Sequence, residues 1–225
     1  MTAIILNTMP KSASVYLFES LSRGLNRETR RITTRPPGNW PYDDIDEVKL
    51  AELVNIDGVT QQHFDAHPRN LEILQRLCPK LIVHVRDPRQ SMVSWIHHCC
   101  SNHLSTVTAR YRSLPFTQQV EYELDTFLRD AVQWLKRWLE VRDLNIHFAT
   151  YEQFHADHQA YFRNVLDFYD IPLEDFDFTP QERSEASHFR KGEVDEWRRV
   201  LTDEQQQGAN DMLSSELCER FGWSK

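Results

Sequence analysis

Two short apolar runs, Ala3-Ile4-Ile5-Leu6 and Leu81-Ile82-Val83-His84-Val85, constrain this chain more than any other feature. Each has the length of a buried strand, and each breaks at a polar turn that leads into a helix-period pattern. After the first run, Val15, Leu17, Phe18 and Leu21 fall at helical spacing; after the second, Arg86-Asp87-Pro88-Arg89-Gln90 precedes a helix expected from about Ser91. Asn145–Thr150 reads as another short strand and Arg31–Thr34 as a further one within the Pro- and Gly-rich stretch 27–44. Helices are expected over Glu47–Leu53, His67–Cys78, Tyr161–Tyr169 and 203–221, and over Thr117–Val141, where Trp134, Leu135 and Trp138 pack inward. Residues Phe176–Lys191 look mostly irregular. Strands alternating with helices predict an α/β fold: one domain, residues 1–225, with a central parallel sheet flanked by helices.

Charge and composition narrow the function. With 225 residues and a formal net charge of −8, the chain lacks the basic face that broad nucleic-acid or anionic-membrane binding needs, so neither partner is expected. No run approaches the roughly 18 apolar residues of a transmembrane helix, and the first apolar stretch is too short for a signal peptide. Cys78, Cys99, Cys100 and Cys218 form no spaced framework, which fits reduced thiols and a cytoplasmic location.

Three segments carry candidate chemistry. In the first, Met9-Pro10-Lys11-Ser12-Ala13-Ser14 joins a strand to a helix N-terminus, a P-loop-like βα turn with one cation and two hydroxyls. It reads either as a phosphate cradle or as an ordinary βα loop with Ser12 or Ser14 as helix cap. It is not a Walker A loop, since no Gly-x-x-x-x-Gly-Lys-Ser/Thr occurs and the chain has only six glycines. In the second, Arg86 ends a strand and Ser94 follows eight residues later; a planar fork of donors and a short hydroxyl can converge on one anion. The competing reading is an Arg–Asp surface pair and a solvated serine. In the third, Arg190-Lys191-Gly192 sets two cations beside a residue that lets backbone approach a ligand closely.

In this order the segments resemble the cytosolic-type sulfotransferases, which use 3′-phosphoadenosine-5′-phosphosulfate (PAPS) and release PAP. The family's Pro-Lys-Ser-Gly-Thr-Thr-Trp is met here by Pro10 to Tyr16, and its Arg-Asn-Pro with a later serine by Arg86-Asp87-Pro88 and Ser94. Its Arg-Lys-Gly followed by Trp and Phe-Thr is met by Arg190-Lys191-Gly192, Trp197 and Leu201-Thr202, and its Tyr-Glu after a strand by Tyr151-Glu152. The resemblance implies that Lys11, Ser12, Ala13, Ser14 and Val15 wrap the 5′-phosphosulfate with backbone N–H groups, and that Lys11 neutralises the bridging oxygen as the sulfuryl group leaves. It assigns Arg86, Ser94, Arg190 and the Lys191-Gly192 backbone to the 3′-phosphate, and Tyr16 and Tyr151 to the adenine. Ala13 replaces the family's glycine, and Leu201-Thr202-Asp203-Glu204 lacks the valine of its dimerisation pattern.

The family's base is a histidine in a Lys-Thr-His segment. By position His63 corresponds, with His67 second, and Gln61 stands where the family often has lysine. A histidine titrating near neutrality suits that role. No metal is expected, because positioning and charge neutralisation suffice for a loose in-line transfer. The acceptor is expected to present a hydroxyl or amine on a small molecule or carbohydrate, in a pocket shaped by about residues 36–46, 97–116 and 179–189. Two rival readings are a PAPS- or PAP-binding protein without catalysis and a divergent P-loop nucleotide kinase. A third, zinc at His97-His98-Cys99-Cys100-Ser101-Asn102-His103, suffers from adjacent ligands that diverge on a helix.

Overall fold

The computed structural model describes residues 3–34, 43–101, 108–180 and 191–224. Its first elements are β1 (Ile4–Thr8), α1 (Ser14–Gly24), β2 (Thr33–Thr34), β3 (Asp44–Ile45), α2 (Glu47–Asn55), β4 (Val59–Gln62), α3 (Pro68–Leu77) and β5 (Lys80–Val85). Then come α4 (Pro88–Ser101), α5 (Ala109–Arg112), α6 (Phe116–Glu123), a π-helical turn (Leu124–Leu128), α7 (Arg129–Glu140) and β6 (Asn145–Thr150). The chain ends with α8 (Tyr151–Ala156), α9 (His158–Phe168), a 3₁₀ turn (Leu173–Asp175), α10 (Trp197–Val200), α11 (Asp203–Met212) and α12 (Ser215–Phe221). Two compact units are present: 1–85 with 136–187, and 86–135 with 188–225.

The first unit holds a four-stranded parallel sheet in the order β4-β1-β5-β6. All five residues of β1 and the last five of β5 are buried. That is the position of central strands covered on both faces, and it explains their unbroken apolar runs. Helix α1 packs on β1 and β4, and α8 and α9 pack on β6. The last residue of α1 is Gly24, and the Phe176 ring lies over it: a Cβ there would stand 2.4 Å from a ring carbon. The expected α/β architecture with a parallel sheet flanked by helices is therefore what the chain adopts. The two-stranded ribbon β2-β3 is antiparallel and pairs Thr33 with Ile45.

The second unit is helical. Helix α6, the π turn and the first part of α7, to Leu135, belong to it; the run continues without a break from Phe116 to Glu140, matching the expected long helix, and Trp134 and Leu135 here, like Trp138 in the first unit, are fully buried. Two boundaries differ from expectation. Helix α4 starts at Pro88, not near Ser91, because Asp87 caps it: the Asp87 carboxylate accepts from the Arg89 N–H at 2.9 Å and its carbonyl from the Ser91 N–H at 2.9 Å. Pro88 then occupies the first helical position, where a missing N–H costs nothing. The closing helix is two helices, since Leu213 is extended and Ser214 caps α12 through the Leu217 N–H.

Candidate functional site

In the first unit, β1 ends in a turn whose backbone is bent by two left-handed residues, Lys11 (φ 66°) and Ala13 (φ 65°). Such bends aim successive N–H groups toward one side and make anion-binding concavities. Ala13 is the N-cap of α1, contributes no side-chain cap, and no acidic residue sits in the first turn. Capping by Ser12 or Ser14 is thus not what happens: the Ser12 hydroxyl turns inward and donates to the Met9 carbonyl at 2.6 Å. The helix presents its N-terminal N–H groups and positive dipole end with no side-chain cap from Ala13 and no carboxylate in the first turn. Val15 is exposed and Ser14 buried.

The turn is pinned from below by His84, a fully buried imidazole in β5. His84 Nε2 lies 2.8 Å from the Ser12 carbonyl and Nδ1 lies 2.9 Å from the Tyr161 hydroxyl. A carbonyl can only accept, so Nε2 carries the proton and Nδ1 accepts from Tyr161. The Met9 N–H also donates to the His84 carbonyl at 2.8 Å. Sequence reasoning passed over His84 as part of an apolar strand; the signal available was a lone polar residue inside a run otherwise made of Leu, Ile and Val.

His63 lies just past β4, held from β1. The Asn7 side chain accepts from the Phe64 N–H at 3.0 Å and donates to the Phe64 carbonyl at 3.1 Å, fixing the backbone beside His63. His63 Nδ1 donates to the Thr8 carbonyl at 2.6 Å, which leaves Nε2 as the ring's basic nitrogen. Gln61 Nε2 stands 3.5 Å from His63 Nε2 and donates to Thr8 Oγ1 at 2.7 Å. The next residues are clamped by Arg137, which grips Asp65 in a fork at 2.8 and 2.7 Å. His63, Gln61 and Gln62 line a cavity of about 320 Å³, together with Phe18, Thr29, Arg30, Arg31 and Asp43. His67 is placed differently, with Nε2 2.8 Å from Asp44 Oδ1. Tyr16 and Tyr151 meet a common neighbour, Phe154, with ring centroids at 5.6 and 6.3 Å; Tyr16 is partly exposed and Tyr151 buried.

In the second unit, Arg86 is 5% exposed and its guanidinium donates to the Glu193 carbonyl at 2.7 Å, next to Gly192, whose φ is 71°. Lys191 pairs with Glu196 at 3.1 Å, and Gln90 accepts from the Trp197 N–H at 3.1 Å. The structure thus brings the Arg86 segment and the Lys191-Gly192 segment together. Ser94 is partly exposed on α4, and Arg190 lies outside the described residues. Asp87 pairs not with Arg86 but with Arg89, through Nε at 2.9 Å and Nη2 at 2.6 Å. Arg89 also donates to Asn210 and to the Ser224 carbonyl and stacks 3.9 Å from the Trp197 ring centre. The Arg–Asp element of the second motif is therefore a buried brace for α4 rather than a surface pair.

The sulfotransferase-domain family model matches residues 2–221. The chain belongs to the sulfotransferase family. Its members take the sulfuryl group from PAPS. The chain is 24% identical to sulfotransferase 6B1 of Danio rerio over 96% of its own length and 78% of that protein's. Mouse sulfotransferase SULT7A1, solved with PAP, superposes with a TM-score of 0.68 at 17% identity, covering 99% of this chain and 89% of that one. A sulfotransferase from Alicyclobacillus acidocaldarius superposes with a TM-score of 0.58 at 12% identity, covering 100% and 98%.

Other features of this sulfotransferase-family chain bear on the rival readings. Among the described residues no group of three or more His, Cys, Asp and Glu is placed to hold a metal, and no helix is long and apolar enough to cross a membrane. In the His97–Cys100 stretch the side chains go separate ways: His97 stacks on Phe116, His98 lies by Trp95, and Cys100 accepts from Gln119 at 3.1 Å. His103 falls outside the described residues. All four cysteines are described, and none is in a disulfide. Of the stretches expected to shape the acceptor pocket, 35–42, 102–107 and 181–190 are outside the described residues; Asp43 is the member that lines the His63 cavity. One buried carboxylate was not foreseen: Glu123, beside the π turn, accepts from Tyr111 at 2.7 Å and Thr126 at 2.9 Å, and burial pushes its carboxyl above the usual range.

Proposed function

We propose that this chain transfers the sulfuryl group of PAPS to a hydroxyl, or an amine, of a small-molecule or carbohydrate acceptor. The observation that carries the reading is His63: its Nδ1–H is spent on the Thr8 carbonyl, so its basic Nε2 belongs to a side chain that lines a cavity of about 320 Å³. An acceptor hydroxyl entering that cavity would give its proton to Nε2 as the sulfur–oxygen bond forms, a contribution of roughly 10²–10⁴-fold for a positioned base. His67, bound to Asp44, is the lesser candidate.

The donor supplies an activated sulfuryl group; the protein's work is to hold it and neutralise charge. The left-handed turn at Lys11 and Ala13 and the N-terminus of α1 would take the 5′-phosphosulfate through backbone N–H groups, with Lys11 on the bridging oxygen. Arg86, Ser94, Arg190 and the Lys191-Gly192 backbone would take the 3′-phosphate. Tyr16 and Tyr151 would flank the adenine, Tyr16 offering the more accessible ring. Lys191 would exchange Glu196 for the phosphate. We place the reaction in a single domain of the cytoplasm and without a metal.

Calorimetric titration with PAP, AMP and ATP–magnesium tests the donor. Tight PAP binding, weak AMP binding and no magnesium requirement support the assignment; ATP–magnesium binding without PAP binding refutes it in favour of a kinase. Substituting His63→Ala is expected to spare PAP binding and lower turnover about a hundredfold or more. PAP binding with no turnover on any acceptor would mark a nucleotide-binding protein without catalysis.

A further inference from the structure

The lining of the His63 cavity points to a class of acceptor. Phe18 is the one hydrocarbon side chain among the described residues that line it; the others are Thr29, two glutamines, His63 and three charged groups. The glutamines, Asp43 and His63 already hold protein hydrogen bonds, but an apolar acceptor would strip water from the half-exposed guanidiniums of Arg30 and Arg31 and return no hydrogen bonds, an arrangement binding sites avoid. The charged groups are unequal in number, two guanidiniums against one carboxylate. Asp43 is buried, takes the Thr33 hydroxyl at 2.9 Å, and holds Arg31 by one nitrogen at 2.8 Å. That anchor fixes the plane of a fork whose other donors remain to be used, on a side chain that is 58% exposed. Arg30 has Glu28 and Glu52 at 3.8 and 3.6 Å, distances beyond a direct hydrogen bond, and all three side chains are water-screened.

Resting on the sulfotransferase reading above, we propose that the acceptor is a small hydroxyl compound bearing a carboxylate, gripped by Arg31 and Arg30 while its hydroxyl meets His63. An arginine fork matches a carboxylate in shape as well as charge, and a fork already oriented by Asp43 loses little freedom on binding. Arg31 and Arg30 are then specificity determinants: they choose which hydroxyl compound is turned over and take no part in the proton transfer.

The experiment uses the full chain, PAPS and two matched acceptor pairs: 4-hydroxyphenylacetate with its methyl ester, and an aliphatic hydroxy acid with its methyl ester. PAP release gives kcat/KM. The acid of at least one pair is expected to exceed its ester by about tenfold or more. In Arg31→Lys, which keeps a cation beside buried Asp43, and in Arg30→Gln, the acid-to-ester ratio should fall toward unity through a rise in the acid's KM. Thermal melts confirm that both variants are folded. Equal or better use of the esters, a ratio unmoved in both folded variants, or PAP binding with transfer to neither acid would overturn the inference. Transfer to an ester in that event leaves the sulfotransferase reading standing. Absence of both PAP binding and transfer would overturn the sulfotransferase reading itself.

Discussion

Replacing Tyr161 by phenylalanine removes one oxygen and leaves the ring that meets His84 edge-on at 5.5 Å. The lost hydroxyl is the donor to His84 Nδ1, in a site where both residues are buried. Burial holds the Tyr161 phenol above its ordinary range, so in the native chain it is a neutral donor throughout the physiological range. In the variant Nδ1 has two options. It can stay unprotonated without the Tyr161 donor, or it can take the proton from Nε2 and set a lone pair against the Ser12 carbonyl, acceptor on acceptor. Either way a buried hydrogen bond of His84 is lost, which costs about 1–3 kcal/mol. With a urea m-value of about 2 kcal/mol/M, the middle of that range moves the unfolding midpoint down by about 1 M. Because His84 braces the turn that carries Lys11 and Ala13, PAP affinity should fall several-fold as well. Urea unfolding followed by fluorescence, with and without PAP, measures both effects. A midpoint within about 0.2 M of the parent would refute the assigned tautomer and the bracing role.

Asp87→Ala should destabilise by about 3–5 kcal/mol, since it strips a buried guanidinium of its carboxylate and α4 of its cap; a loss under about 1 kcal/mol in chemical unfolding would contradict that account. Glu123 gives a pH prediction. Its raised pKa means that the folded chain holds the carboxyl proton more tightly than the unfolded chain, so this stabilising contribution is full below the ordinary carboxylate range and is lost as pH climbs through the raised value. Glu123→Gln removes that slope, and unfolding measured from pH 4 to 7 should show the variant gaining on the parent as pH rises; a constant difference would disprove it.

What could be read from the residues followed burial. β1 and β5, the stripe of Trp134, Leu135 and Trp138, and the turn at Lys11 were legible because apolar length and period report directly on a two-sided sheet and a one-sided helix, while β6, an edge strand, showed through its alternating Ile146 and Phe148. β4 was not, because Val59-Thr60-Gln61-Gln62 is an edge strand with polar residues at its exposed end and carries no such pattern. The start of α4 was misplaced because Pro88 reads as a breaker until Asp87 is seen to cap. His63 was nameable only through resemblance; what makes Nε2 basic, the Thr8 carbonyl, is a contact between residues 55 positions apart. Arg30 and Arg31, which line the His63 cavity, escaped for the same reason, since they belong to a stretch whose charge looked like that of any solvated loop.

The strand order sets a timetable for synthesis. β1 lies in the interior of the sheet and is made before every strand it pairs with: its partners β4 and β5 begin at Val59 and Lys80, and β6, which completes the far edge, begins at Asn145. At roughly 5–20 residues per second, a ribosome needs about 4–15 s after making β1 to deliver β5, and longer to bring it clear of the exit tunnel. Through that interval Ile4, Ile5 and Leu6 have hydrophobic faces and hydrogen-bonding edges with no sheet to join. Parallel pairing across such separations folds slowly and exposes the chain to aggregation meanwhile. The strand that leads into the Lys11–Ala13 turn therefore waits longest for its partners, and refolding yield should fall steeply with protein concentration.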